Sequence, residues 1–233
     1  MQYQDSYIEF CLENPDSVFR TLQNREKEAV AKHFVTCFAK KGEFIFSEGE
    51  KSRGLVCLVK GKYKVYRVGV GGREQILRFV KPSEIIGCRS LFQAVNWTNS
   101  AVATEDCVFC QTDRNSITTL LKHNNDFAFR MMKQMADEIA FYQERIISLT
   151  QKHVRGRVVE TLLMLAGIYG FEADGKTINA ILSRDDLAHH SNMTTSNAIR
   201  TLSNLSAEGK IELRQKKIKL IDITALEQIS KSG

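Results

Sequence analysis

The stretch LSRDDLAHHSNMTTSNAIRTLSNLSAEG, residues 182–209, decides how this chain folds and what it handles. Ser183 is a good helix N-cap, and Asp186 sits where an acid satisfies first-turn amides. Leu187 and Ala188 give that helix an apolar face. Asn192 tolerates the left-handed conformation and marks a tight turn. Thr194 caps a second helix, in which Ala198, Leu202 and Leu205 recur at i, i+4 and i+7. Thr195, Ser196, Asn197, Arg200 and Asn204 stay on the outer face, and Gly209 closes the helix. Short polar side chains near a helix N-terminus allow close approach to a major groove. Arg200 is the candidate for bidentate bonding to a guanine. On this stretch alone, a helical hairpin with a polar surface competes with a helix-turn-helix.

The next residues favour DNA. Residues 211–213 and 218–221 flank Arg214-Gln215-Lys216-Lys217, a short hairpin with a basic tip. Such a wing places cations against phosphates, and Lys216 and Lys217 are the candidates. Thr224 and Glu227 have the spacing of a capping box for a last short helix. The expected unit is a winged helix-turn-helix over residues 154–233. Its DNA-contact candidates are Ser183, Thr194, Thr195, Ser196, Asn197, Arg200, Lys216 and Lys217. A helix over 154–169 opens the unit, with Val158, Leu162, Leu165 and Ala166 on its buried face.

Upstream, residues 126–153 contain no glycine or proline. Met131, Met135, Ile139, Tyr142, Ile146 and Leu149 recur there at spacings of 4, 4, 3, 4 and 3. That is a narrow stripe of the coiled-coil kind. A helix of ~28 residues is ~42 Å long, more than a small domain spans. A second copy of the chain or the protein's own core must cover the stripe, and its narrowness favours a second copy.

Residues 1–125 have another character. Glycines cluster between Gly42 and Gly87 and punctuate short strand candidates: the Phe44–Phe46 alternation, residues 54–60, 63–66 and 75–80, and a strand pair over 101–112. Gly69-Val70-Gly71-Gly72 reads as a hairpin tip, and residues 16–33 as a helix. The expected fold class is α+β, with an antiparallel barrel or jelly roll leading into helices.

Composition excludes several alternatives. The net charge of +6 is modest and shared by both halves, so charge alone does not identify a nucleic-acid binder. No segment has the ~20 apolar residues of a membrane span. The first thirteen residues lack a signal peptide's pattern, so no membrane partner and a cytoplasmic location are expected. Of six cysteines only Cys107 and Cys110 form a C-x-x-C, and they lie in a strand candidate. Residues i and i+3 of a strand point to opposite faces and chelate poorly. An enzyme would need a cluster of catalytic or metal-binding side chains in the β-region, and none is visible there. His189 and His190 are adjacent on one helix and do not face one site. A module that regulates a partner without touching DNA is opposed by residues 183–209 and the basic wing.

The order of these elements resembles the family of the cyclic-AMP receptor protein and the fumarate and nitrate reduction regulator. The likeness spans nearly the whole chain. It includes the Gly-rich strands, Ile86-Gly87 to Phe92, the Ser100-Ala101 pair, the long helix and LSRDDLA over 182–188. It implies a double-stranded β-roll like a cyclic-nucleotide-binding domain (1–125), a dimerisation helix (126–153) and the winged helix-turn-helix (154–233). It also implies a homodimer on two-fold symmetric DNA, with RNA polymerase as a further partner and signal passing from β-roll to DNA through the long helix. The effector pocket would be lined by Cys88, Arg89, Ser90, Asn99 and Ser100. Family members that bind cyclic AMP place an acid and a base where this chain has Cys88 and Asn99, and Asn cannot offset a phosphate. Cyclic AMP is therefore not expected to bind in the usual mode. An iron–sulfur cluster is not expected either, since only Cys11 and Cys37 lie early. Nor is haem, since His33, His123 and His153 form no ligand pattern. Relatives often carry Glu where Ser196 stands, so part of the base readout should differ.

Overall fold

A computed structural model describes residues 5–232. It divides into two compact units, one of residues up to 67 together with 80–140, the other of 68–79 together with residues from 141 on. Among the described residues no helix is long and apolar enough to cross a membrane.

The first unit begins with helices α1 (Ser6–Glu13) and α2 (Asn24–Ala31). The helix expected over 16–33 is thus only its second half. Residues 14–23 form turns, in which the Ser17 amide donates to the Asn14 carbonyl at 3.0 Å. Leu22, Val30 and Phe34 are buried and Val18 is half-buried, although the backbone breaks.

Eight strands follow: β1 (Phe34–Ala39), β2 (Phe44–Phe46), β3 (Val56–Lys60), β4 (Tyr63–Val68), β5 (Glu74–Val80), β6 (Ile85–Ile86), β7 (Ser100–Ala103) and β8 (Cys107–Thr112). They form two four-stranded sheets, ordered β1-β8-β3-β6 and β2-β7-β4-β5. Residues 101–112 do not form a hairpin. β7 pairs with β2 and β4, while β8 pairs with β1 and β3, so the chain changes sheet between them. A register shift in β2 leaves Phe44 exposed and Phe46 buried, against the simple alternation.

Between the sheets lies a core of Phe46, Val56, Leu58, Tyr63, Val65, Trp97 and Phe109. Trp97 stacks on Phe46 with ring centroids 3.9 Å apart. Gly87 makes room for this stack: its φ is +112°, and a Cβ there would lie 2.9 Å from the Trp97 ring. A second core gathers α1, α2, the outer face of β1-β8-β3 and the following helices. In it Phe19 stacks on Phe127 at 5.5 Å. Cys107 belongs to the first core and Cys110 to the second, as strand geometry requires of i and i+3.

After α3 (Cys88–Gln93) and α4 (Arg114–His123), Asn124 ends one helix and starts the next. Its side chain accepts from the Phe127 amide at 2.8 Å and donates to Glu26. The long helix α5 runs Asn125–Gln151. Its apolar stripe is split. Met131 is fully buried in the second core and Met135 packs against it, because α5 is amphipathic toward its own domain. Tyr142 and Leu149 are half-buried, while Ile139 and Ile146 are 57% and 61% exposed.

The second unit contains α6 (Val154–Tyr169), α7 (Arg184–His190), α8 (Thr195–Ala207), the hairpin β9 (Ile211–Arg214) and β10 (Lys217–Leu220), and α9 (Ile223–Ser232). Residues 178–182 make isolated bridges and loop bonds rather than a strand. The cap of α9 is Asp222, which accepts from the Ala225 amide at 2.9 Å, and not Thr224. Residues 68–79, which comprise the end of β4, the connecting turn and most of β5, also belong to this unit.

Candidate nucleic-acid interface

Helices α7 and α8 are held by the capping their sequence encodes. Ser183 Oγ accepts from the Asp186 amide at 2.9 Å and donates to its carboxylate at 2.6 Å. Thr194 accepts from the Asn197 amide at 3.3 Å. Asn192 takes φ +51° in the turn, and the Met193 amide returns to the Ala188 carbonyl at 3.0 Å. Losing such a cap costs about 1 kcal/mol. Ala198, Leu202 and Leu205 are fully buried, which turns the opposite face of α8 outward.

On that outward face stand Ser196, Ile199, Arg200 and Ser203, all exposed. Arg200 Nη2 donates to Asn197 Oδ1 at 2.9 Å, so its guanidinium is steadied without losing its other donors. Thr195 faces away from this group and donates to Asp185 at 2.6 Å. Ile199, 47% exposed, is a further residue of this face that the sequence candidates did not include. Beside Arg200 it offers an apolar surface of the kind that meets a thymine methyl.

The wing is a two-residue hairpin in which Lys217 pairs with Arg214. Gln215 at its tip adopts φ +53°. Arg184 of α7 donates to the Gln215 carbonyl at 3.1 Å and the Leu182 amide to the Lys216 carbonyl at 2.9 Å, anchoring wing to helix. The two lysines differ. Lys217 is paired with Glu172 at 2.6 Å. Lys216 is exposed and has no ion pair among the described residues.

Beneath this surface lies a buried polar node. The His190 carbonyl accepts from Arg145 Nη2 at 2.6 Å and from Gln75 at 3.2 Å. Thr161 Oγ1 lies 3.0 Å from His190 Nδ1 and 2.9 Å from Ser191 Oγ, and donates to the Arg157 carbonyl at 2.9 Å. Because Thr161 has spent its one proton, Nδ1 must carry the imidazole hydrogen. Nε2 then holds a bare lone pair beside Phe79, with no partner. Glu160 lies 3.7 Å from Arg145, accepts from Lys152 at 2.9 Å and bonds to Ser148. At the far end of α8, Glu208 is clamped by both nitrogens of Arg155 at 2.6 and 2.5 Å.

The residues expected to line an effector pocket differ in exposure. Cys88 is buried in the second core. Arg89 is exposed and bonded to Gln93 at 3.1 Å. Ser90 is buried, with its carbonyl held by Arg114 at 2.5 Å. Asn99 is half-buried, and Ser100 Oγ accepts from the Glu48 amide at 3.0 Å.

Comparison with known proteins agrees with this architecture. Residues 36–124 match the cyclic nucleotide-binding domain and residues 156–229 the Crp-like helix-turn-helix domain. The chain is 23% identical over 206 residues to a CRP-like cAMP-activated global transcriptional regulator of Mycobacterium tuberculosis, covering 88% of this chain and 92% of that one. It is 27% identical over 183 residues to Electron transport regulator A of Shewanella oneidensis, covering 78% and 73%. The structure of FixK2 from Bradyrhizobium japonicum superposes with a TM-score of 0.76 at 21% identity, covering 84% of this chain and 96% of that one. A β-roll joined to a winged helix-turn-helix defines a class of DNA-binding transcription regulators, not enzymes. The chain belongs to the Crp/Fnr family of that class.

The β-roll does not fit the cyclic nucleotide its family name implies. Of the five pocket candidates only Arg89 is cationic, and it faces outward. The Phe46–Trp97 stack lies in the core between the sheets. Calorimetry should therefore show no cyclic-AMP binding in the micromolar range; micromolar binding would mean that this interior opens to admit the ligand.

The node predicts a pH dependence. Burial, reinforced by Arg145, holds His190 well below its ordinary value of 6.5. The unfolded chain takes up this proton below about pH 6.5 while the folded chain does not, so stability falls as pH drops through that value. One such group contributes up to ~1.4 kcal/mol per pH unit. Denaturant titrations between pH 7 and 5 should show this slope in the wild type and a shallower one in His190→Gln. Equal slopes would mean that His190 already carries its proton in the fold.

Proposed function

We propose that the chain is a homodimeric, sequence-specific transcription regulator in which α8 reads the major groove and Lys216 grips the backbone. The observation that carries this is the exposed Ser196–Ile199–Arg200–Ser203 face, held from behind by buried bonds and flanked by the anchored wing. Ser183, Thr194 and Thr195 act mainly as scaffold, because capping or the bond to Asp185 occupies their hydroxyls. Asn197 orients Arg200.

The dimer reading rests on the outer face of α5. Phe129, Met132, Ala136, Ile139, Gln143 and Ile146 follow one another at spacings of 3 or 4 and are all exposed. Four of the six are large apolar side chains, which a helix with no partner would leave in water. Ile139 and Ile146 stay in the proposed seam, while Met131 and Met135 serve the domain's own core. Signal from the β-roll would reach the DNA-binding unit along α5, and a DNA-bound dimer would act on RNA polymerase.

Arg200→Ala should weaken specific binding and relax preference at one base pair per half-site, since a bidentate Arg–guanine pair discriminates by ~1–3 kcal/mol. Lys216→Ala should weaken binding to every sequence and flatten the salt dependence by up to ~0.9 in log–log slope per lost phosphate contact. Lys217→Ala should do less, because Glu172 already holds that ammonium. Binding titrations over salt, on specific and random DNA, separate these effects. An equal loss on both DNAs for Arg200→Ala would make that residue a phosphate contact.

Placing Glu at Ile139 and Ile146 should put unpaired charges in the seam and give monomers in sedimentation velocity. A dimer that persists would move the interface off this face.

A further inference from the structure

In the first two turns of α8, Ser196, Ile199 and Arg200 are the exposed side chains. Recognition helices meet base edges with their N-terminal residues. The other residues of these turns are withdrawn from that task. Ala198 and Leu202 are buried, and Thr195, Asn197 and Thr201 are half-buried. Thr195 donates its hydroxyl proton to Asp185 at 2.6 Å. Asn197 would need both its oxygen and its amide group to clasp an adenine, and Oδ1 is engaged by Arg200 at 2.9 Å.

The three exposed side chains differ in what they can tell apart. A hydroxyl both donates and accepts, so Ser196 suits several bases. The guanidinium of Arg200 matches O6 and N7 of guanine. Ile199 has no polar atom in its side chain. The apolar group that a base pair displays in the major groove is the C5 methyl of thymine.

A single exposed apolar residue is ordinary on a protein surface. Ile199 is set apart by its surroundings. One turn before and after it stand Ser196 and Ser203, both exposed and short, so no long side chain folds across it. Beside it in sequence is Arg200, the only charged residue of α8. Its branched Cβ makes it stiff at χ1, so docking against a methyl group loses little rotamer freedom. The residues that do pack α8, Ala198, Leu202 and Leu205, are fully buried without its help.

We infer that Ile199 reads the C5 methyl of a thymine in each half-site. The preference of α8 is then carried by two bases, a guanine held by Arg200 and a thymine packed on Ile199. This inference rests on the proposal that α8 is the reading helix. Adjacent Cα atoms are about 3.8 Å apart and adjacent base pairs about 3.4 Å. The two side chains diverge by about 100° around the helix, so they meet different base pairs, about one or two steps apart. Burial of one methyl group is worth about fourfold in affinity, and two half-sites together about fifteenfold.

The test uses the full-length chain and a duplex that it selects from a random pool. Each thymine of the selected site is replaced by uracil, one symmetric pair of positions at a time. Uracil keeps every hydrogen-bonding group of thymine and lacks only the methyl. The expected result is one pair of positions at which uracil weakens wild-type binding about fifteenfold. That pair should lie about one or two base pairs from the guanine whose preference is lost in Arg200→Ala. Ile199→Ala should bind the thymine duplex about as weakly as the wild type binds the uracil duplex. It should be indifferent to uracil at that position and keep its preference for the guanine. Ile199→Val, still branched at Cβ, should keep most of the response. Ile199 lies outside the core of α8, so these substitutions leave its packing intact. Uracil tolerated at every thymine, a selected site with no thymine near the guanine, or a uracil penalty undiminished in Ile199→Ala would overturn the inference. Any of these with the Arg200 effect intact would leave α8 as the reading helix. Selection of no motif would remove that reading, and this inference with it.

Discussion

The orientation of α8 depends on a constraint that apolar packing does not supply: the His190 carbonyl and ring must find partners where there is no water. Arg145 from the last third of α5, Thr161 from α6 and Gln75 from β5 supply them. Losing a charged donor to a buried carbonyl leaves a desolvated group unpaired and costs about 1–3 kcal/mol. Three segments distant in sequence are thereby tied to the residue that ends α7. The turn into α8 begins there, so the same bonds hold the start of the helix that carries the proposed reading face. The bare Nε2 against Phe79 shows that the site is built for a neutral imidazole.

Helix α5 serves two cores at once. Its inward residues, Phe127 and Met131, complete the packing of α1, α2 and the β1-β8-β3 sheet. Its outward residues form the proposed seam, and its last turns carry Arg145 and Ser148 to the node.

Much of this was legible in the residues. Ser183, Thr194 and Asn192 announced the two helices and their turn because capping and left-handed turns are local chemistry, decided within three or four residues. Helix α6 followed from its period. The stripe on α5 was visible, but its division was not. Met131 and Ile139 are alike as side chains, and only the position of α1, α2 and the sheet decides which one faces inward. The same holds for Ile199, whose apolar character suggests core until Leu202 and Leu205 are seen to take that role. The sheet change between β7 and β8 and the shift in β2 are tertiary pairings that alternation cannot show. Asp222 displaced Thr224 as a cap because both are good caps and the chain's path chose between them. The node was invisible, since its members come from separate segments that only the tertiary fold brings together, Gln75 lying 115 residues from His190.

The central claim is that two copies of α8 read a symmetric duplex. Selection of binding sites from a random DNA pool with the full-length chain tests it most directly. The account predicts enrichment of a two-fold symmetric motif with half-site centres about one helical turn, ~10 base pairs, apart. Enrichment of a single unsymmetric half-site, or of no motif at all, would contradict it.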